Sequence, residues 1–210
     1  MKFLLYFLCL TGLMQPLLAK DWTLELRGAC YLPTSQEAQS IYSRAWLESE
    51  VFTAKKLHQY LEAFGQVSWT VKKGQTSRGE FGFKDRSRIW ILPLTAGLRV
   101  VYPIATKAKV YAGAGISYSY LKIENRYEDI DYYFYSSSPF HKQIYEHHLG
   151  ALWKTGLLID TGDHTYLDFF VDYAWQTFRL KQNDLFADRI VGHQLNLSGV
   201  KVGAGFGVNF

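Results

Sequence analysis

The chain has 210 residues, 23 of them Lys or Arg and 19 Asp or Glu, for a formal net charge of +4. That length fits one domain, the mean hydropathy of -0.11 is too polar for a bundle of membrane helices, and an aromatic content of 17% is too high for a disordered chain. No Lys/Arg block is long enough for a nucleic-acid footprint, and 15 Tyr, 14 Phe and 17 Gly against 5 Pro predict a β-rich domain.

Residues 1–19 read as a cleaved secretory signal. Lys2 gives the positive start, residues 3–18 carry no charge, and Leu17-Leu18-Ala19 sets a small residue before a cut ahead of Lys20. Gln15 and Pro16 interrupt the run, which falls short of the roughly 20 apolar residues a spanning helix needs. Cleavage removes Cys9 and leaves Cys30 as the only cysteine of the domain at 20–210, so no internal disulfide can form.

The first predicted strand is 22–30. The next, 46–56, turns at 57–60, but it competes with a helix: Ala38, Ile41 and Ala45, then Val51, Ala54, Leu57, Leu61 and Phe64, also fit spacings of three and four. An even strand count, needed to close an antiparallel barrel with both termini at one end, favours the strand. Strands 61–73 and 88–102 follow around a loop at 74–87, with Pro93 predicting a bulge or a missing ladder bond. After a short link at 103–108 comes 109–124, where Val110, Ala112, Ala114, Ile116, Tyr118 and Tyr120 alternate with Tyr111, Gly113, Gly115, Ser117 and Ser119. A long loop, 125–147, leads to strand 148–160. The polar turn 161–164 joins it to 165–180, and a loop at 181–193 precedes the last strand, 194–210. Eight strands with alternating long and short connections predict a transmembrane antiparallel β-barrel.

Alternation gives two faces without saying which is inside; a soluble lipocalin-like barrel would alternate too. The polar face settles the expectation. It is rich in glycine rather than in Lys, Glu and Thr, and its charges are of mixed sign: Glu25, Arg27, Glu48, Glu50, Glu62, Arg99, Lys154, Asp168, Asp172 and Lys201. Such a face suits an enclosed, paired lumen. The apolar face then meets lipid, with Trp22, Trp90, Tyr102, Tyr118, Tyr120, Tyr166 and Trp175 as expected interfacial girdles.

The ending Phe206-Gly207-Val208-Asn209-Phe210, with Phe206, Val208 and Phe210 alternating to an aromatic terminus, looks like the assembly signal of bacterial outer-membrane proteins. With the signal peptide and the hairpin rhythm, the chain resembles the small eight-stranded outer-membrane barrels of the OmpX, OmpW and OmpA transmembrane-domain class. That resemblance implies outer-membrane location, insertion by the assembly machinery, and outer-membrane lipid and lipopolysaccharide as surroundings. No cofactor and no nucleic acid is expected as a partner.

Catalytic and metal motifs are weak. Gly113-Ala114-Gly115 is a mid-strand fragment of a dinucleotide fingerprint, and Asn196-Leu197-Ser198 is a glycosylation pattern only. His147 and His148 point to opposite faces of a strand, and His193 and Ser198 lie roughly 16 Å apart along one. Asp168 and Asp172, about 13 Å apart, are too far for a carboxylate dyad. An eight-stranded lumen is filled by side chains, so ten inward charges together with Phe64, Tyr111 and Phe170 argue against a free channel. The candidate binding residues are therefore in the long loop: Asp129, Asp131, Tyr132, Tyr133, Phe134 and Tyr135, since Tyr offers large contact area at low entropic cost. They could instead pack on one another or on headgroups. The basic loop with Arg78, Lys84, Arg86 and Arg88 could touch lipopolysaccharide phosphates or be a solvated tip. The expected function is surface interaction with a host or envelope macromolecule. Small-solute or hydrophobic-compound transport is the alternative, and lipid modification a lesser one.

Overall fold

A computed structural model describes residues 21–78, 83–127, 140–179 and 194–210. The strands are β1 (Trp22–Pro33), β2 (Trp46–Lys56), β3 (Leu61–Arg78), β4 (Phe83–Ala105), β5 (Ala108–Tyr127), β6 (Phe140–Asp160), β7 (Thr165–Trp175), β8 (Thr177–Arg179), β9 (Gln194–Asn196) and β10 (Gly199–Asn209). One helix, α1 (Gln36–Tyr42), lies between β1 and β2. Eight strands close an antiparallel barrel in the order β1-β10-β7-β6-β5-β4-β3-β2, so the first strand pairs with the last. The terminus seals that seam: Phe210 N–H donates to Trp22 C=O at 2.9 Å, and Asp21 N–H donates to Phe210 C=O at 2.9 Å.

The stretch read both as helix and as strand is one after the other. Ser35 caps α1, its hydroxyl accepting from Ala38 N–H at 3.4 Å, and Ser43, at φ 77°, ends it. Trp46 then opens β2. Five further segments differ from expectation. β1 runs on to Pro33. The loops expected at 74–87 and 125–147 are largely hairpin, with pairing that reaches Arg78↔Phe83 and Tyr127↔Phe140. The strands expected at 165–180 and 194–210 each break, because Ser198 leaves the ladder: its hydroxyl accepts from Gln176 N–H at 3.1 Å and its own N–H is taken by Asn196 Oδ1 at 2.8 Å. β8 and β9 resume the pairing beyond the break.

Pro93 interrupts only one side of β4. Toward β5 it keeps its place opposite Ser119, whereas toward β3 the paired positions jump from Val67↔Leu94 to Thr70↔Ile91 with no change of register. A residue without an N–H costs ladder bonds here, not a bulge.

The apolar face points outward around the circumference: Leu26, Leu98, Ile116, Leu149, Trp153, Phe169 and Phe206 are at least 47% exposed. An apolar belt of this extent belongs in hydrocarbon, not water. On β4 it runs outward-facing from Trp90 to Tyr102, roughly 30 Å at a strand tilt of about 40°, the thickness of a bilayer core. No helix among the described residues is long and apolar enough to cross a membrane.

Inward glycines make room for neighbours. A Cβ on Gly97 would lie 2.5 Å from Gly115 Cα, 2.8 Å from Phe64 Cζ, and closer still to the Ala114 carbonyl oxygen. Gly97→Ala is therefore expected to destabilise the barrel by about 1–3 kcal/mol, read as a lower urea midpoint in lipid vesicles. Gly65→Ala, whose Cβ would meet only Thr53 Cγ2 at 3.6 Å, should leave the midpoint nearly unchanged.

Candidate functional site: a lumen closed at two levels

Period-two alternation places every second side chain of each strand in the lumen. In the half nearer the termini and short turns, these are charged. Arg27 lies between two carboxylates, its Nε donating to Glu25 Oε1 at 2.6 Å and its Nη2 2.7 Å from Asp168 Oδ2. Two tyrosines complete the group: Tyr166 donates to Glu25 at 3.0 Å and Tyr111 to Asp168 at 3.0 Å. Arg99 donates to Glu62 at 2.7 Å. Lys154 pairs with Asp172 and donates to Gln66 Oε1 at 2.8 Å. Lys201 pairs with Glu48 and, at 3.3 Å, with Glu50. Thr70 and Ser68 extend the network by donating to Glu48 and Glu50. All ten charges face inward, and all but Glu62, whose side chain is 16% exposed, are buried.

Phe52 sits at the hub of this network, a residue the sequence reading passed over. The Arg27 and Arg99 guanidinium carbons lie 3.9 and 4.6 Å from its ring centroid and Lys154 Nζ 5.5 Å, while Phe64 stacks beside it at 5.7 Å. Cations over an aromatic face in a desolvated site gain about 2 kcal/mol or more. Its parity with Glu48 and Glu50 on β2 was the available signal.

Tyr166 corrects the expected outer girdle. Leu167 is outward, so Tyr166 faces the lumen, where it is buried and bonded to Glu25. Trp90, Tyr102, Tyr118 and Trp175 are exposed on the outer face, and Tyr120 packs there against Tyr145 and His147. Phe206 and Phe210, expected to form an assembly signal, are 52% and 46% exposed, with Val208 on the same outer face.

The other half of the lumen, toward the long hairpins, holds an apolar cluster. Ile89, Ile91, Leu121, Ile123 and Ile144 point inward from β4–β6 and meet Tyr31, Trp46, Phe178, Leu195 and Leu197. α1 closes the top by burying Ala38 and Tyr42, four residues apart on one helix face. The Tyr42 and Ser87 hydroxyls bond at 2.7 Å, and the Trp46 ring is met edge-on by Tyr31 and Tyr42 at 5.4 and 5.7 Å. Above the membrane water surrounds the strands, so an apolar inside is the stable arrangement; within it lipid surrounds them, and the polar groups go inside.

The loop candidates Asp129, Asp131, Tyr132, Tyr133, Phe134 and Tyr135 lie outside the described residues, as does His193. Arg88, expected beside a basic loop, is on the outer face of β4. His147 is exposed outside, while His148 turns the other way, its ring 5.6 Å from Phe178.

A groove of about 540 Å³ marks the outer wall beside the Pro93 break. Thr53, Gly65 and Ala96, in register on β2, β3 and β4, form its shallow floor, and Val51, Val67, Leu94, Ile116, Tyr118 and Leu149 form its sides.

No family model and no curated protein sequence matches the chain. Solved structures do. A major outer membrane protein from Thermus thermophilus superposes with a TM-score of 0.57 at 10% identity, covering 90% of this chain and 99% of that one. The outer membrane protein OprG from Pseudomonas aeruginosa gives 0.54 at 12% identity, with 91% and 97% covered. Neisserial surface protein A gives 0.51 at 15% identity, with 91% and 98% covered. Closed topology, polar lumen, apolar belt and these likenesses agree: the chain has the fold of the small eight-stranded outer-membrane β-barrels.

Proposed function

We propose that the protein is exported by its first 19 residues, resides in the outer membrane, and acts from its exterior as a surface interaction protein. The observation that carries this reading is the doubly closed lumen, with ion pairs around Phe52 below and an apolar cluster under α1 above. Among the described residues the lumen is packed with side chains at both levels, which favours contact with other molecules at the outer surfaces. The segment 128–139, with Asp129, Asp131, Tyr132, Tyr133, Phe134 and Tyr135, is the part of the expected long loop whose composition suits binding of a host or envelope macromolecule. The assembly machinery would read Phe206, Val208 and Phe210 during insertion.

A second reading, passage of small apolar compounds sideways through the wall, is favoured by the interrupted β3–β4 ladder at Pro93 and the groove beside it. One experiment separates the two. The folded protein in planar bilayers is expected to show no steady conductance. Serine replacement of residues 132–135 should leave heat-modifiable gel migration intact and reduce binding to whole cells at least tenfold. Equal binding by that variant, or uptake of an apolar dye by vesicles carrying a parent that binds no cells, would sink the surface reading in favour of the second.

A further inference from the structure

The outer wall of β3–β5 carries a concentration of positive charge just beyond its aromatic girdle. Lys73 and Arg88 face outward directly opposite each other across the β3–β4 ladder. Lys122, diagonal to Arg88 on β5, also faces outward, and exposed Arg86 lies one outward position farther along β4. Against these four cations the face sets one carboxylate among the described residues, Glu124, which stands directly opposite Arg88 across the β4–β5 ladder and bonds Lys122 at 2.6 Å. Neither Lys73 nor Arg88 forms an ion pair among the described residues. Like charges directly opposite in a ladder are destabilising, unless an anion lies between them.

Their height is set by the apolar belt. Arg88 is two residues beyond Trp90, Lys73 two beyond Val71 and Lys122 two beyond Tyr120, so all three stand where the hydrocarbon ends and phosphates begin. Below them on the same outward columns is the groove over Gly65 and Ala96. From Leu94 in its side to Arg88 is roughly 20 Å along the strand, within the span of a headgroup phosphate joined to an acyl chain. Cations above an apolar groove, with aromatic side chains between them, are complementary to an anionic lipid and not to a free ion.

We propose that this face binds a phosphorylated glycolipid of the outer leaflet, its phosphate held by Lys73, Arg88 and Lys122 and one acyl chain lying in the groove over Gly65 and Ala96. Arg88 supplies the forked donor that matches phosphate oxygens, while Lys73 and Lys122 flank it as point charges. The inference rests on the proposed outer-membrane location, with the long hairpins outside. It does not involve residues 128–139, so cell binding can fail while lipid binding stands, and the reverse.

The test adds bisphosphorylated lipid A to the folded protein in phosphatidylcholine nanodiscs and reads bound lipid by native mass spectrometry across a titration. Lys73→Gln/Arg88→Gln/Lys122→Gln is expected to weaken binding about a hundredfold, at roughly a factor of five per cation. Gly65→Leu/Ala96→Leu, which fills the groove, should weaken lipid A binding at least fivefold with the cations intact. Heat-modifiable migration verifies that each variant is folded, and the single changes Lys73→Gln and Arg88→Gln replace the triple variant if it is not. Inorganic phosphate at millimolar concentration is expected not to displace the lipid; displacement would make the site one for a free anion and overturn the lipid assignment. Equal lipid A binding by the parent and the folded cation variants would overturn it outright.

Discussion

Arg27→Met is expected to lower stability by about 3–5 kcal/mol, because it leaves two buried carboxylates without their cation. Glu25 and Asp168 are 1% and 0% exposed, and both bond to the same guanidinium. Methionine fills most of the space, so the loss reports charge rather than a cavity. The urea midpoint of the variant in lipid vesicles, followed by tryptophan fluorescence, measures it. Adding Glu25→Gln and Asp168→Asn should recover most of the loss. Both amides keep an oxygen to accept from Tyr166 and Tyr111, which already donate to these positions at 3.0 Å, and neutral partners no longer need a cation. A variant that unfolds at the parent's urea concentration would refute the paired lumen.

Trp46→Ala should cost a similar amount, about 3–5 kcal/mol, for the opposite reason. Trp46 is 1% exposed, wedged between Tyr31 and Tyr42, and its indole N–H donates to Ser43 C=O at 2.8 Å. Removing the ring empties the point where β1, α1 and β2 meet, so α1 loses its seat. Proteolysis between residues 34 and 45 should therefore accelerate in this variant, while in Arg27→Met, whose defect lies in the other half of the barrel, it should not. Trp46→Phe retains the ring contacts and should lose much less. An unchanged cleavage rate in Trp46→Ala would show that α1 is held by other contacts.

The two variants probe the two halves of one lumen, and the halves were unequally legible. A strand tells its faces by parity alone, so the inward set from Glu25 to Lys201 can be read off one residue at a time. Parity also exposes the misplacement of Tyr166, which shares its side with Asp168 and not with Leu167. Partners were another matter. Arg27 meets Asp168, 141 positions along the chain, and Lys201 meets Glu48 and Glu50, some 150 positions back. Asp172 does join Lys154, a cross-strand neighbour in the β6–β7 hairpin, where the turn at 161–164 sets the register.

Period-two alternation punctuated by turns marked the strands and their two faces, the even count that closure needs completed the eight, and the glycines and mixed-sign charges of one face assigned it to the inside. Closure of β1 on β10, the convergence of Arg27, Arg99 and Lys154 on Phe52, and the apolar storey under α1 were decided only in three dimensions. The same parity yields polar contents where lipid surrounds the wall and apolar contents where the strands rise beyond it. Alternation does not contain the height of the membrane. The length to which β3–β6 extend does, and that length is settled by pairing between strands that neither predicts alone.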